Sequence, residues 1–314
     1  MPDPAAAVRR LAKVALATAI VAGIGYFLAK TLVGNWGAID AARRSAQYRW
    51  VLAAYLPLAA SFAIGVSAWQ HIMSMLGARL SWGRCFWTIS GSHLAKFIPG
   101  HVLALGGRIW LCGREGVPTA VSTTGVVLEM LAQLAASALV FICYAMFPGH
   151  SVNALYGLIG VALAAALAAT AHPSVLRRVW HLVPRYGKAS AGYLTYRYRA
   201  VLALVGLYVL AWALQGLGVY LLARSLCPGL GVAAAVPVIG AYGGAYALGF
   251  LSFVTPGGLG VREGALSYLL SSYLPLPAAI LVAVLSRLWF TSFDIVMTIA
   301  SLRFSNTGAP HGQA

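Results

Sequence analysis

Six ionisable residues stand inside or beside strongly apolar stretches of this chain: Arg108, Glu129, Arg262, Glu263, Arg287 and Asp294. A charge near the centre of a lipid layer costs about 2.5–3.5 kcal/mol even on lenient scales, so such residues face a protein interior or a wet cavity. Two uses answer that cost. Mutual salt bridges can fix helix packing, or some of the group can bind or gate an ion or a charged substrate. Two of the stretches that carry them are also broken, FIPGHVLALGGR at 97–108 and FVTPGGLGVREG at 253–264. Proline removes a backbone donor and glycine tolerates unusual dihedrals, so a helix ends near Pro99–Gly100 and near Pro256–Gly257–Gly258, and another begins after each. A helix start presents free N–H groups and roughly half a positive charge, which suits phosphate or carboxylate. Lys96 and Arg108 flank the first start and Arg262 flanks the second. Basic groups around helix starts within lipid are what an anionic phospholipid or polyprenyl-phosphate headgroup needs.

The two broken stretches have matched spacing. Pro99 to Glu129 is 30 positions and Pro256 to Arg287 is 31; Pro99 to Pro118 is 19 and Pro256 to Pro277 is 21. Paired Gly/Pro-interrupted segments in two halves point to the binding site in transporters with internal repeats. The same alignment places Glu129 and Arg287 on corresponding spans and predicts that these two residues pair.

The elements that hold these residues follow from composition. Of 314 residues, 61% are hydrophobic and 9% charged, and mean hydropathy is +0.81. A soluble domain has about 25% charged residues, so here lipid must be the solvent. The expected fold is an all-α bundle of about 7–8 spans with broken, re-entrant or short helices in two related halves. It forms one membrane domain over 1–303, followed by a polar, disordered tail at 304–314. Runs long enough to cross a ~30 Å core fall at about 14–33, 51–76, 118–147, 152–171, 201–223, 232–254 and 277–302. The shorter segments 85–112 and 257–273 either span or re-enter. The first run is about 20 residues without a small-residue cleavage site, and is expected to be a retained span rather than a signal peptide.

The net charge of +16 comes from 22 Lys+Arg against 6 Asp+Glu. In a membrane chain this is the positive-inside bias of cytoplasmic loops rather than a nucleic-acid surface. Arg9, Arg10 and Lys13 put the N-terminus in the cytoplasm, and the 172–200 loop with Arg177, Arg178, Arg185, Lys188, Arg197 and Arg199 falls on the same side. Arg43, Arg44 and Arg49 in the 34–50 loop run against the bias. The aromatic and basic residues of 172–200 fit either a segment lying on an anionic leaflet or an ordinary loop with an aromatic belt. Cys85, Cys112, Cys143 and Cys227 stand singly and read as small buried hydrophobes. His93, His101, Cys112 and Glu115 match no metal spacing, and no cofactor motif, P-loop or nucleophile elbow occurs.

KFIPGHVLALGGR at 96–108, Glu129 in the next span, and FVTPGGLGVREGAL with Arg287 resemble the transmembrane region of lysylphosphatidylglycerol synthase and the wider flippase-like group built on it. The resemblance spans essentially the whole chain. It implies a bacterial cytoplasmic-membrane protein of about eight helices that moves lipids or lipid-linked sugars between leaflets. The positions it carries over are Lys96, Pro99, Gly100, Arg108, Glu129, Pro256, Gly257, Arg262, Glu263 and Arg287. No aminoacyl-transferase domain follows, so lysyl transfer is not expected of this chain alone. Two other readings stay open: a non-transporting partner of a glycosyltransferase or envelope-assembly complex, and a polyprenyl-phosphate glycosyltransferase. Against the second, no D-x-D pair occurs, and Asp40 is the one acidic residue of the first external loop.

Overall fold

A computed structural model describes residues 33, 46–93, 101–147, 154–181, 192–194, 196–252 and 260–305. The expected first span at 14–33, apart from Val33, lies outside these residues. So do Lys96, Pro99, Gly100, Pro256, Gly257, Gly258 and the tail from 306.

Lipid offers backbone groups no partners, so each segment satisfies its own as a helix. The helices are α1 (Tyr48–Met75), α2 (Trp82–His93), α3 (His101–Arg114), α4 (Thr119–Ala145), α5 (Ala154–Thr170), α6 (Pro173–His181), α7 (Tyr198–Leu226), α8 (Ala235–Leu251), α9 (Val261–Leu270) and α10 (Leu276–Ser301). Among the described residues, α1, α4, α7, α8 with its leading 3-10 turn, and α10 with its trailing one are long and apolar enough to cross a membrane. Helices α5 and α6 meet at a 71° bend and make a sixth candidate span if taken together. At 1.5 Å per residue, α2, α3 and α9 are about 18, 21 and 15 Å long, each short of a ~30 Å core. The 85–112 segment is therefore two half-length helices packed on one another.

The internal repeat is visible in the element order. Helices α2, α3 and α4, and then α8, α9 and α10, each run as helix, short helix and long span among the described residues. Each long span is capped by a proline in extended geometry, Pro118 for α4 and Pro275 for α10. The match to Pro118 is thus Pro275 rather than Pro277, and the cap falls 19 positions after the break proline in both halves. Pro277 sits within the first turn of α10, where a missing N–H costs nothing.

The bundle closes through small residues. Helix α7 runs along α1, and α8 packs against α4 and α7. A Cβ on Gly240 would strike the Tyr144 backbone, and one on Gly243 would lie 2.9 Å from the Ser137 carbonyl. Without side chains there, α8 and α4 approach backbone to backbone, the packing that replaces hydrophobic driving force in lipid.

Candidate functional site

Each broken stretch delivers an arginine to one cavity of about 270 Å³, with Arg108, Glu129, Arg262 and Arg287 in its wall. Its remaining lining mixes rings such as Phe62 and Phe290 with the neutral polar groups Ser61, Gln133 and Gln215.

In the first half, Arg108 of α3 donates from Nη1 to Oε2 of Glu129 on α4, a close ion pair. Arg108 Nε donates to Ser92 Oγ at 3.3 Å, and its guanidinium lies 5.1 Å from the Trp69 ring centroid. The other carboxylate oxygen of Glu129 accepts from Gln133 Nε2 and from the Tyr208 hydroxyl, each at 3.2 Å. Buried to 6% exposure, Glu129 thus meets the requirement that a desolvated charge be fully bonded.

The second half uses the same parts with the signs exchanged. Glu263, on the short helix α9, is buried, and its Oε1 accepts from Arg287 Nη1 on α10 at 3.3 Å. Its Oε2 accepts the Gly260 amide at 2.6 Å. Gly260 caps α9 with φ +81° and ψ −42°, a conformation that side-chain-bearing residues avoid, and it brings no side chain of its own. Glu263 therefore supplies the side-chain half of a capping box to its own helix. The adjacent Arg262 and Glu263 have separate tasks: the glutamate builds the helix start, while the arginine turns into the cavity.

Arg262 sits in an aromatic cage. Its Nη2 donates to the Tyr242 hydroxyl at 2.6 Å, and its guanidinium lies 5.0, 5.9 and 6.0 Å from the ring centroids of Tyr242, Phe290 and Tyr246. Gly249 of α8 faces the Arg262 β-carbon, so the absence of a side chain there lets α9 close on α8. A hydrogen-bond chain leaves the cage. Tyr242 donates to Gln215 Oε1 at 3.3 Å, Gln215 donates to Ser61 Oγ at 2.9 Å, and Tyr246 donates to Gln133 Oε1 at 3.4 Å. The Gln133 amide also donates to Glu129, so the two halves are joined.

The expected Glu129–Arg287 pair does not form: Glu129 pairs with Arg108 and Arg287 with Glu263. Each pair links a short helix to the span that directly follows it, 21 and 24 residues on. That local hairpin satisfies both charges before a cross-half contact is needed. Asp294 is buried two turns beyond Arg287 on α10 and does not line the cavity. Glu115 pairs with Arg84 at 3.2 Å. Sequence reasoning passed over Gln133, Gln215, Tyr208, Tyr242 and Tyr246. A signal was present, since two glutamines inside apolar spans are costly for the same reason charges are, and Tyr208, Trp212 and Gln215 share one helical face by their spacing.

The residues that line the cavity run from Leu58 to Phe293, all within residues 14–297, which match the model of the family described as lysylphosphatidylglycerol synthase TM region. The chain belongs to that family. No curated protein matches it. As a member of the lysylphosphatidylglycerol synthase TM region family, it is a multi-pass membrane protein whose charged cavity is built inside the matched region.

Proposed function

We propose that the protein takes the phosphate of an anionic membrane lipid onto Arg262 and carries that headgroup between leaflets, as a flippase-like carrier rather than an enzyme. The observation that carries the reading is the state of Arg262. It lines the cavity, yet none of the three ion pairs among the described residues uses it. Arg108 and Arg287 each hold a carboxylate already. A guanidinium in a low-dielectric cavity is a strong site for phosphate, through forked, charge-assisted bonds. The Phe62 and Phe290 side of the wall offers the tail an apolar surface. Family membership supports a membrane-lipid substrate. The loop charges support an N-terminus on the cytoplasmic side, and the family resemblance supports a bacterial cytoplasmic membrane.

The test reconstitutes the full chain in proteoliposomes with fluorescent phosphatidylglycerol and follows headgroup exposure by dithionite quenching. Wild type is expected to move the lipid, and Arg262→Gln to slow it by about 10–100-fold, the worth of one charge-assisted contact of ~1.5–3 kcal/mol. Arg262→Lys, which keeps the charge but loses the fork, should fall between them. If well-folded wild type moves and binds no anionic lipid, the carrier reading is lost, and a role as partner of a glycosyltransferase or envelope-assembly complex takes its place.

A further inference from the structure

The basic segment that follows α5 has a geometry of its own, apart from the cavity. Helix α5 runs antiparallel to the long apolar helix α4, with Gly157 against Ala145 and Gly160 against the Ala138 carbonyl. It is therefore oriented across the lipid layer, and the 71° bend after it turns α6 toward the membrane plane. Hydrogen bonds hold that turn. The Tyr196 hydroxyl donates to the Ala171 carbonyl at 2.9 Å, the Tyr198 hydroxyl to that of Ala168 at 3.1 Å, and Arg177 Nη2 to that of Leu194 at 2.9 Å.

Three sectors divide the surface of α6. Leu176 and Trp180, one turn apart, are buried against the protein. Val175 and Val179 form a second row and stay 36% and 47% exposed. Ser174, Arg177, Arg178 and His181 are exposed on the remaining side. At 3.6 residues per turn, the centre of the polar sector lies about 130° from that of the valine row. A helix so divided, lying at headgroup level, can dip its valines into the acyl boundary while its cations meet phosphates. Charge then selects the kind of leaflet. No Asp or Glu occurs between Glu129 and Glu263, and none of the three ion pairs among the described residues uses Arg177 or Arg178. Cations without carboxylates of their own are complementary to an anionic surface.

We propose that α6 is a docking surface for the anionic lipids of the leaflet it faces, with Arg177 and Arg178 against their phosphates and Val175 and Val179 in the acyl boundary. Of the two readings that composition leaves open for residues 172–200, this is the one on the leaflet. Helix α6 contributes no residue to the cavity, so the contact holds or fails independently of the carrier reading.

The experiment puts a fluorescent label on Val179→Cys of the full chain, with Cys143→Ser and Cys227→Ser removing the exposed and half-buried thiols. The protein is reconstituted in vesicles of phosphatidylcholine and phosphatidylglycerol. The label is expected to be quenched by lipids spin-labelled high on the acyl chain and shielded from aqueous iodide. A label on His181→Cys should show the reverse order. With the spin label carried on one lipid at a time, phosphatidylglycerol is expected to be enriched beside α6 by about fivefold or more, the worth of one cation near the headgroups at ~1 kcal/mol. Arg178→Gln should cut that enrichment by about fivefold, and Arg178→Lys should keep it, since a leaflet reads charge rather than the guanidinium fork. Salt at ~1 M should erase it, because the Debye length falls to ~3 Å. A label at 179 that is open to iodide and closed to lipid quenchers would overturn the proposal, leaving the basic face to water or to an acidic partner protein. Equal quenching by the two lipids, or an enrichment unchanged by Arg178→Gln, would overturn it as well.

Discussion

The pairing of charges in the cavity wall lends itself to a quantitative test. Glu129→Gln leaves the Arg108 side chain, 12% exposed, with the Ser92 hydroxyl and the Trp69 ring as its remaining neighbours. Breaking a buried pair from one side costs about 3–5 kcal/mol, mostly because the surviving charge is left uncompensated. Here a glutamine at 129 still accepts from Tyr208 and Gln133, and Arg108 borders a cavity that water can enter. Both features put the cost at the lower end, about 3 kcal/mol. Arg108→Gln should cost a similar amount, since it strands the carboxylate instead. The double variant strands neither charge. Its cost should therefore fall below the ~3 kcal/mol of either single variant and well short of the ~6 of two independent losses, a coupling of at least about 3 kcal/mol. Glu129→Gln combined with Arg287→Gln shares no ion pair, and its coupling should stay below about 1 kcal/mol. Unfolding free energies would be measured by titrating a denaturing detergent into mixed micelles, with the cycle closed in each case. A larger coupling for 129 with 287 than for 129 with 108 would refute the pairing and restore the cross-half bridge that the spacing predicts.

Two further outcomes follow from backbone geometry. Gly260→Ala forces a β-carbon into φ +81° at the cap of α9 and should cost about 1–3 kcal/mol; it should also impair lipid movement by shifting Arg262, whereas an alanine as stable and active as wild type would show the cap to be dispensable. Gly240→Val should push α8 off the Tyr144 backbone and cost about 1–3 kcal/mol by overpacking, read as a lower detergent-denaturation midpoint, with no change meaning that the α4–α8 contact is looser than described.

Much of the candidate site was legible in the sequence because polar groups are conspicuous in an apolar chain. Arg108, Glu129, Arg262 and Arg287 were chosen by cost alone, and all four line the same cavity. Glu263 and Asp294 were chosen by the same argument and do not line it, since cost identifies a residue that needs surroundings but not which surroundings it has. The repeat was legible too, though not its register at the second cap. Pro275 and Pro277 stand two apart, and only the dihedrals of Pro275 reveal which one closes the helix start.

What the sequence determined by itself is the solvent, the helical class, the positions of the described long spans and the fact that charges had to be hidden. These are local properties: lipid makes every segment satisfy its own backbone, so each stretch declares its state independently of the others. Tertiary structure decided which charge neutralises which, and therefore that among the described arginines of the cavity wall Arg262 stays outside an ion pair. It also assembled the neutral wall, through bonds such as Tyr208 to Glu129, Tyr246 to Gln133 and Gln215 to Ser61, whose partners are 79, 113 and 154 residues apart. No spacing encodes such contacts. They arise when glycine faces let whole helices approach, and packing then selects the partners that leave no buried charge unanswered.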